Sequence, residues 1–152
     1  MLKNIPPLLG PDLLHTLRAM GHGDEIAIVD ANYPAEFAGP GIIRLDGHQA
    51  TDVLDAILTL MPLDGFVDQA ALGMQVVGAP ERREPIYDLF EAIIRRHEPD
   101  MGFATLERFA FYERARSAAA IVQTGETRLY GNIILKKGII PPAMPTEPNA
   151  LA

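Results

Sequence analysis

Cysteine is missing from all 152 residues, which removes disulfides, thiol nucleophiles, thiolate metal sites and iron–sulfur clusters together. Tryptophan is absent as well. What remains for chemistry is His, Asp, Glu, Tyr, Lys and Arg. Positive charge is scarce: 13 Lys and Arg stand against 20 Asp and Glu, a formal net charge of -7. The basic pairs Arg82-Arg83, Arg95-Arg96 and Lys136-Lys137 are scattered, so the attraction to phosphate that nucleic-acid binding needs is lacking and no such partner is expected. No apolar run reaches bilayer-spanning length. The opening MLKNIPPLLG carries one lysine and two adjacent prolines without the apolar core of a signal peptide, and a cytoplasmic protein that does not contact membranes is the expectation. Neither GxxxxGK[ST] nor GxGxxG occurs, so no nucleotide cofactor is implied.

What is present is the composition of an ordinary globular domain, 48% hydrophobic and 22% charged, in a chain long enough to bury one core. Helical spacing of apolar residues runs over 12–20 (Leu13, Leu14, Leu17, Met20), 51–61 (Val53, Leu54, Ile57, Leu58, Met61) and 84–96 (Ile86, Leu89, Phe90, Ile93, Ile94). Pro62 and Pro99 end the second and third. The unbroken run Ile26, Ala27, Ile28, Val29 within 25–30 predicts a central strand buried on both faces. Short strands are expected at 42–44, 70–77, 119–123 and 132–136, the last two as neighbours joined by a loop. Residues 103–117 divide near Arg108 into a strand and a short helix. Alternating helices and strands predict a single-domain, layered α/β fold around one central sheet, spanning 1–140. Four prolines in 141–152 predict a flexible tail.

Several polar residues sit where a pocket can form. His22, between Gly21 and Gly23, carries an imidazole that can give and take a proton, although a helix-end contact is the favoured local explanation. Asp24 can fix a histidine tautomer or cap a turn, with the turn favoured. Asp30 lies at the carboxyl end of the central strand, where α/β proteins bind ligands, or else turns the chain toward Pro34. Arg108 can anchor oxygens with its planar fork or pair with Glu107 or Glu113. Tyr130, Gly131 and Asn132 offer a phenol, a close backbone approach and an amide, or a plain turn into a strand. His15, His48 and His97 have structural explanations. A metal site built from His22, Asp24, Asp30 and His48 lacks a recognisable ligand spacing, and no metal is expected.

Four segments in register, MLKNI, GHGDEI…DANYP, RFAFYERA and IVQTGE…YGNIILKKG, resemble the RbsD/FucU family over most of residues 1–138. Within it, Arg108 followed by FAFYER, and Gly131 between Tyr130 and Asn132, are more similar to the fucose branch than to the ribose branch. The middle of the chain, 62–98, carries no matching motif, and the proline tail departs from the pattern. The resemblance implies an RbsD-like fold and a cofactor-free enzyme that interconverts the anomers of L-fucose or a related monosaccharide. It also implies a homo-oligomer, often a decameric ring, with sites near subunit contacts. By matching position His22 is the proton donor, Asp30, Arg108, Tyr130, Gly131 and Asn132 bind the sugar, and Tyr112 is a lesser candidate. Alternatives are a ribose pyranase, a non-catalytic sugar-binding or transport-accessory protein, and an interaction module that binds no sugar.

Anomer exchange needs one acid and one base: the anomeric hydroxyl loses its proton, the ring oxygen gains one, and the open aldehyde rotates and recloses. The expected assignment gives the ring oxygen to His22 and the anomeric proton to Asp30, Tyr130 or a water, with Arg108 and Asn132 on the remaining hydroxyls. An extended strand between His22 and Asp30 separates them, unless a loop folds back or a neighbouring subunit completes the site.

Overall fold

The apolar periodicities become four helices and six strands among residues 1–144, which the computed structural model describes. Helix α1 (Pro11–Ala19) starts on a proline, whose missing N–H costs nothing in a first turn, and buries Leu13 and Leu17. Helix α2 (Ala50–Leu60) buries Val53, Leu54, Ile57 and Leu58, and α3 (Pro85–His97) buries Ile86, Tyr87, Phe90 and Ile94. In the stretch that the sequence divides near Arg108, strand β4 (Ala104–Leu106) precedes helix α4 (Arg108–Arg116). Glu107 caps that helix by accepting the N–H groups of Phe109 and Ala110. No helix among the described residues is long and apolar enough to cross a membrane.

Strands β1 (Glu25–Val29), β2 (Ile42–Leu45), β3 (Ala71–Met74), β5 (Ile121–Thr124) and β6 (Ile133–Lys136) complete a six-stranded sheet with β4, in the order β2-β5-β1-β6-β3-β4. Strand β1 is central, as expected, pairing parallel to β5 and antiparallel to β6. Every other pairing except β3 with β6 is parallel, so β6 alone runs against the rest. The side-chain period of two sends Ile26 and Ile28 to one face, under α1, α2 and α3, and Ala27 and Val29 to the other, where Phe111 and Ala115 of α4 cover them. Arg114 of α4 closes the second layer through paired hydrogen bonds to Glu25, at 2.6–3.0 Å.

Two expectations are corrected. Strands β5 and β6 are not neighbours, because β1 lies between them. Their connection crosses the carboxyl end of β1, and β6 returns antiparallel on its far side. Strand β3 also stops at Met74 rather than Val77. Gln75 still bonds Leu106, but Val77 turns its N–H to the Tyr130 hydroxyl, and the chain bends at Gly78, whose φ is +75°. The expected tail begins at Pro141; residues 141–144 are exposed and irregular, and 145–152 lie outside the described residues.

Just past the far end of β6, Gly138 lies against the backbone of Leu63 and Asp64. A Cβ there would stand 2.3 Å from the Leu63 oxygen and 2.9 Å from the Asp64 Cα, and neither atom can swing aside. Gly138→Ala is therefore expected to destabilise the fold by about 1–3 kcal/mol, as overpacking does. Thermal unfolding of the variant should show a Tm lowered by several degrees.

Candidate functional site

The carboxyl ends of the parallel strands form one rim of the sheet, and β6, being antiparallel, presents its first residues at the same rim. Asp30 follows β1, Met74 ends β3, Arg108 follows β4, and Asn132 precedes β6. These side chains line a cavity of about 270 Å³, together with Tyr33, Val77, Tyr112 and Tyr130. Larger cavities of about 540 and 450 Å³ run along α1, with walls that, apart from Arg18 and Lys137, are chiefly apolar side chains and prolines. The smaller cavity draws several polar side chains together.

Asp30 is buried and reciprocally paired with Asn132. Its N–H donates to Asn132 Oδ1 at 2.8 Å, and its Oδ2 accepts from Asn132 Nδ2 at 3.0 Å. The other carboxylate oxygen accepts the Asn32 N–H, so the turn-forming role suggested by the sequence coexists with a pocket role. Burial raises the Asp30 pKa, hydrogen bonds from Asn32, Asn132 and Tyr33 oppose this, and the nearby Glu126 charge adds to it; the net direction is upward. A carboxylate oxygen can accept more than one hydrogen bond, so Asp30 keeps lone pairs for a ligand.

Arg108 forms neither of the surface pairs allowed by the sequence. Glu107 is spent on its helix cap and Glu113 pairs with Arg116. The Arg108 guanidinium stacks 4.7 Å over the Phe109 ring, and its buried Nε has no hydrogen-bond partner among the described residues. A buried donor left open in this way suits a ligand oxygen. Tyr130 holds a left-handed backbone, with φ at +58°, a conformation uncommon outside glycine. Its hydroxyl oxygen accepts the Val77 N–H at 3.0 Å, which leaves the hydroxyl hydrogen to point elsewhere. Gly131 is buried between Tyr130 and Asn132. Tyr112 is half-buried, with its ring edge-on to Tyr33 at 5.4 Å.

His22 lies at the opposite rim, before β1 begins. Five extended residues of β1 span on the order of 16 Å, so His22 cannot reach the Asp30 cavity of its own chain. It has a partner that sequence reasoning missed. Its Nε2 stands 3.0 Å from Oδ1 of Asp64, a carboxylate that is almost wholly buried, whereas the imidazole is 44% exposed. The Phe66 N–H and the His22 ring hold the Asp64 carboxyl below its ordinary range. Phe66 also lays its ring beside the imidazole, at 5.5 Å. Asp64 belongs to the stretch without a family motif, and Pro62-Leu63-Asp64-Gly65 signals only a turn. Asp24, in contrast, takes the turn role, accepting the Gly21 N–H at 2.7 Å. Lys137 anchors this loop by donating to the carbonyls of Leu17 and Met20. No group of three or more His, Asp or Glu is placed to hold a metal among the described residues.

One rim of the sheet thus carries an imidazole bonded to a buried carboxylate, and the other carries a cavity lined by hydrogen-bonding side chains. Known proteins share this chain almost end to end. Human fucose mutarotase is 46% identical over 145 residues, covering 91% of this chain and 94% of its own. The zebrafish (Danio rerio) fucose mutarotase is also 46% identical, over 93% of this chain and 96% of its own. The crystal structure of the fucose mutarotase from Streptococcus pneumoniae in complex with L-fucose superposes with a TM-score of 0.86 at 48% identity, over 92% of this chain and all of that one. Residues 3–140 match the model of the RbsD / FucU transport protein family. With the family model matched over residues 3–140 and these relatives covered nearly end to end, this chain belongs to the RbsD/FucU family.

Proposed function

We propose that this protein is a cofactor-independent isomerase, a mutarotase that interconverts the α and β anomers of L-fucose. The observation that carries the reading is the rim cavity, where the open Nε of Arg108 stands in one small space with the Asp30 carboxylate and the free hydroxyl hydrogen of Tyr130. These are the donors and acceptor that a deoxyhexose presenting several hydroxyls requires, and the apolar wall of Met74 and Val77 suits a methyl group.

In this reading two copies of the chain complete each site. His22 of one copy faces the cavity of a neighbour, in a homo-oligomeric ring such as the decamer expected from the family. The half-sites supply complementary parts, because the cavity holds a base and anchors while the distant edge holds the acid. His22 gives its Nε2–H to Asp64, so Nδ1 is the nitrogen that meets substrate. Asp30 takes the proton of the anomeric hydroxyl as the bond from the anomeric carbon to the ring oxygen breaks, and protonated His22 delivers its Nδ1 proton to that oxygen. Rotation of the aldehyde and reversal of both transfers give the other anomer. Asn132 spends its oxygen and one amide hydrogen on Asp30, so it chiefly orients the base, and Arg108 and Tyr130 hold hydroxyls. The cytoplasmic location expected from the sequence is part of this proposal.

Magnetisation transfer between the α and β anomeric protons of L-fucose tests the activity directly. The unaltered protein should speed the exchange, and equality with buffer would rule the activity out. Mixing tests the shared site. His22→Ala and Asp30→Asn chains, each inactive alone, should regain activity when dissociated and reassembled together, because about a quarter of head-to-tail contacts then join two intact halves. No recovery in verified mixed oligomers would overturn the shared site.

A further inference from the structure

We infer that Glu126 is a positioning residue of the sugar site: its carboxylate clamps the crossover between β5 and β6 to the start of α2, setting Tyr130 and Asn132 around Asp30. The inference rests on the rim cavity being the sugar site. It assigns the residue no contact with substrate.

The crossover, 125–132, would otherwise be an ordinary surface loop, and Leu129 at its tip is 67% exposed. Glu126 is 1% exposed. A buried charge in such a loop is costly unless every lone pair has work, and here each oxygen has two partners. Oε1 accepts the backbone N–H of Arg128 at 2.9 Å and its Nε at 2.8 Å. Oε2 accepts Arg128 Nη2 at 2.7 Å and the Ala50 N–H at 3.1 Å. Burial works to raise the Glu126 pKa, but the Arg128 side chain and N–H outweigh it and hold the carboxyl below its ordinary range.

Each of these contacts leads to the site or to the scaffold beneath it. Ala50 opens α2, where the preceding Gln49 offers no side-chain cap, so Glu126 supplies from a distant loop the oxygen that a helix start needs. Arg128 Nη2 reaches on to Thr51 Oγ1, at 3.2 Å, which ties the loop to the same turn of helix. The Glu126 carbonyl accepts the N–H of Ala31, the residue after Asp30, at 3.0 Å. Its side-chain stem lies directly under the binding turn: a Cβ on Gly131 would come within 2.6 Å of Glu126 Cγ and 3.2 Å of Ile86 Cδ1. Glycine between Tyr130 and Asn132 therefore lets that turn settle on the Glu126 stem. One side chain thereby registers the turn carrying two ligand-facing groups against the strand end carrying the third. A glutamine cannot replace it, because its single oxygen keeps two of the four donors while its NH₂ is turned against the other two.

The test is Glu126→Gln in the full chain, with L-fucose exchange followed by magnetisation transfer across a range of sugar concentrations and Tm measured alongside. KM should rise about tenfold, equivalent to roughly one hydrogen bond lost to the sugar. The value of kcat should change less, because the reciprocal bonds between Asp30 and Asn132 do not involve Glu126, and contacts from Tyr130 act on ground and transition states alike. A lowered Tm with unchanged KM would make Glu126 a stabiliser of the fold only and overturn the inference. If that variant does not fold, Arg128→Met decides the matter. It keeps the two backbone hydrogen bonds, so a smaller rise in KM is expected, and a KM equal to that of the unaltered protein would overturn the inference. Failure of the unaltered protein to speed exchange would instead refute the sugar site itself, and the inference with it.

Discussion

His22→Ala should lower the rate of L-fucose anomer exchange by about 10²–10⁴-fold, the usual contribution of a positioned proton donor. The imidazole is 44% exposed in the single chain and its only hydrogen bond among the described residues is to Asp64, so its removal leaves the core intact and Tm should move little. The loss should appear in kcat more than in KM, since the hydroxyl anchors belong to the other edge of the sheet. Asp64 would keep its bond from the Phe66 N–H and its local turn. A variant that retained most of its exchange rate would remove His22 from the mechanism and leave the cavity groups, or water, to supply the acid.

Asp30→Asn should be nearly as damaging, by about 10²-fold or more, because it removes the proposed base without changing its shape. It also disturbs the base's surroundings. Asp30 accepts from Asn132 Nδ2 and from the Asn32 N–H, and a neutral amide in its place must turn an NH₂ toward one of these donors. Burial sets the direction of the pH response. Because burial lifts the Asp30 pKa above the ordinary carboxylate value of 3.8, kcat/KM of the unaltered protein should begin to fall at a higher pH than an exposed aspartate would give. Stability moves the other way. A carboxyl with a folded pKa above its unfolded one is charged in the fold at a cost at neutral pH, and that cost is relieved as pH falls through the folded value. A decline in kcat/KM paralleled by unfolding would thus point to other groups. If Asp30→Asn kept the same acid limb, the limb would not belong to Asp30.

How much of this was legible in the sequence differs by residue. For Asp30, the position was readable, since an apolar run ending in an acid marks a strand end. Its partnership with Asn132, 102 residues away, was not readable from spacing. It follows from β6 entering the sheet beside β1, and that placement contradicts the expectation that β5 and β6 are neighbours. For His22, proton chemistry was readable from residue type, yet Asp64 was hidden in a stretch whose only local signal is a turn. Arg108 was ambiguous locally: Glu107 caps its own helix and Glu113 pairs with Arg116 one turn along, whereas the burial that leaves the Arg108 Nε open comes from packing.

The sequence by itself determined the α/β class, the four helices, the central buried strand and the division at Arg108, because these depend on the period of apolar residues and on prolines acting within a turn or two of themselves. Resemblance in four segments carried the family. The tertiary structure alone decided the strand order, the crossover that brings Tyr130 and Asn132 to Asp30, and the pairing of His22 with Asp64. Those outcomes depend on which strands pair and on which faces are buried. Such contacts join residues 40 to 100 positions apart and leave no period in the sequence.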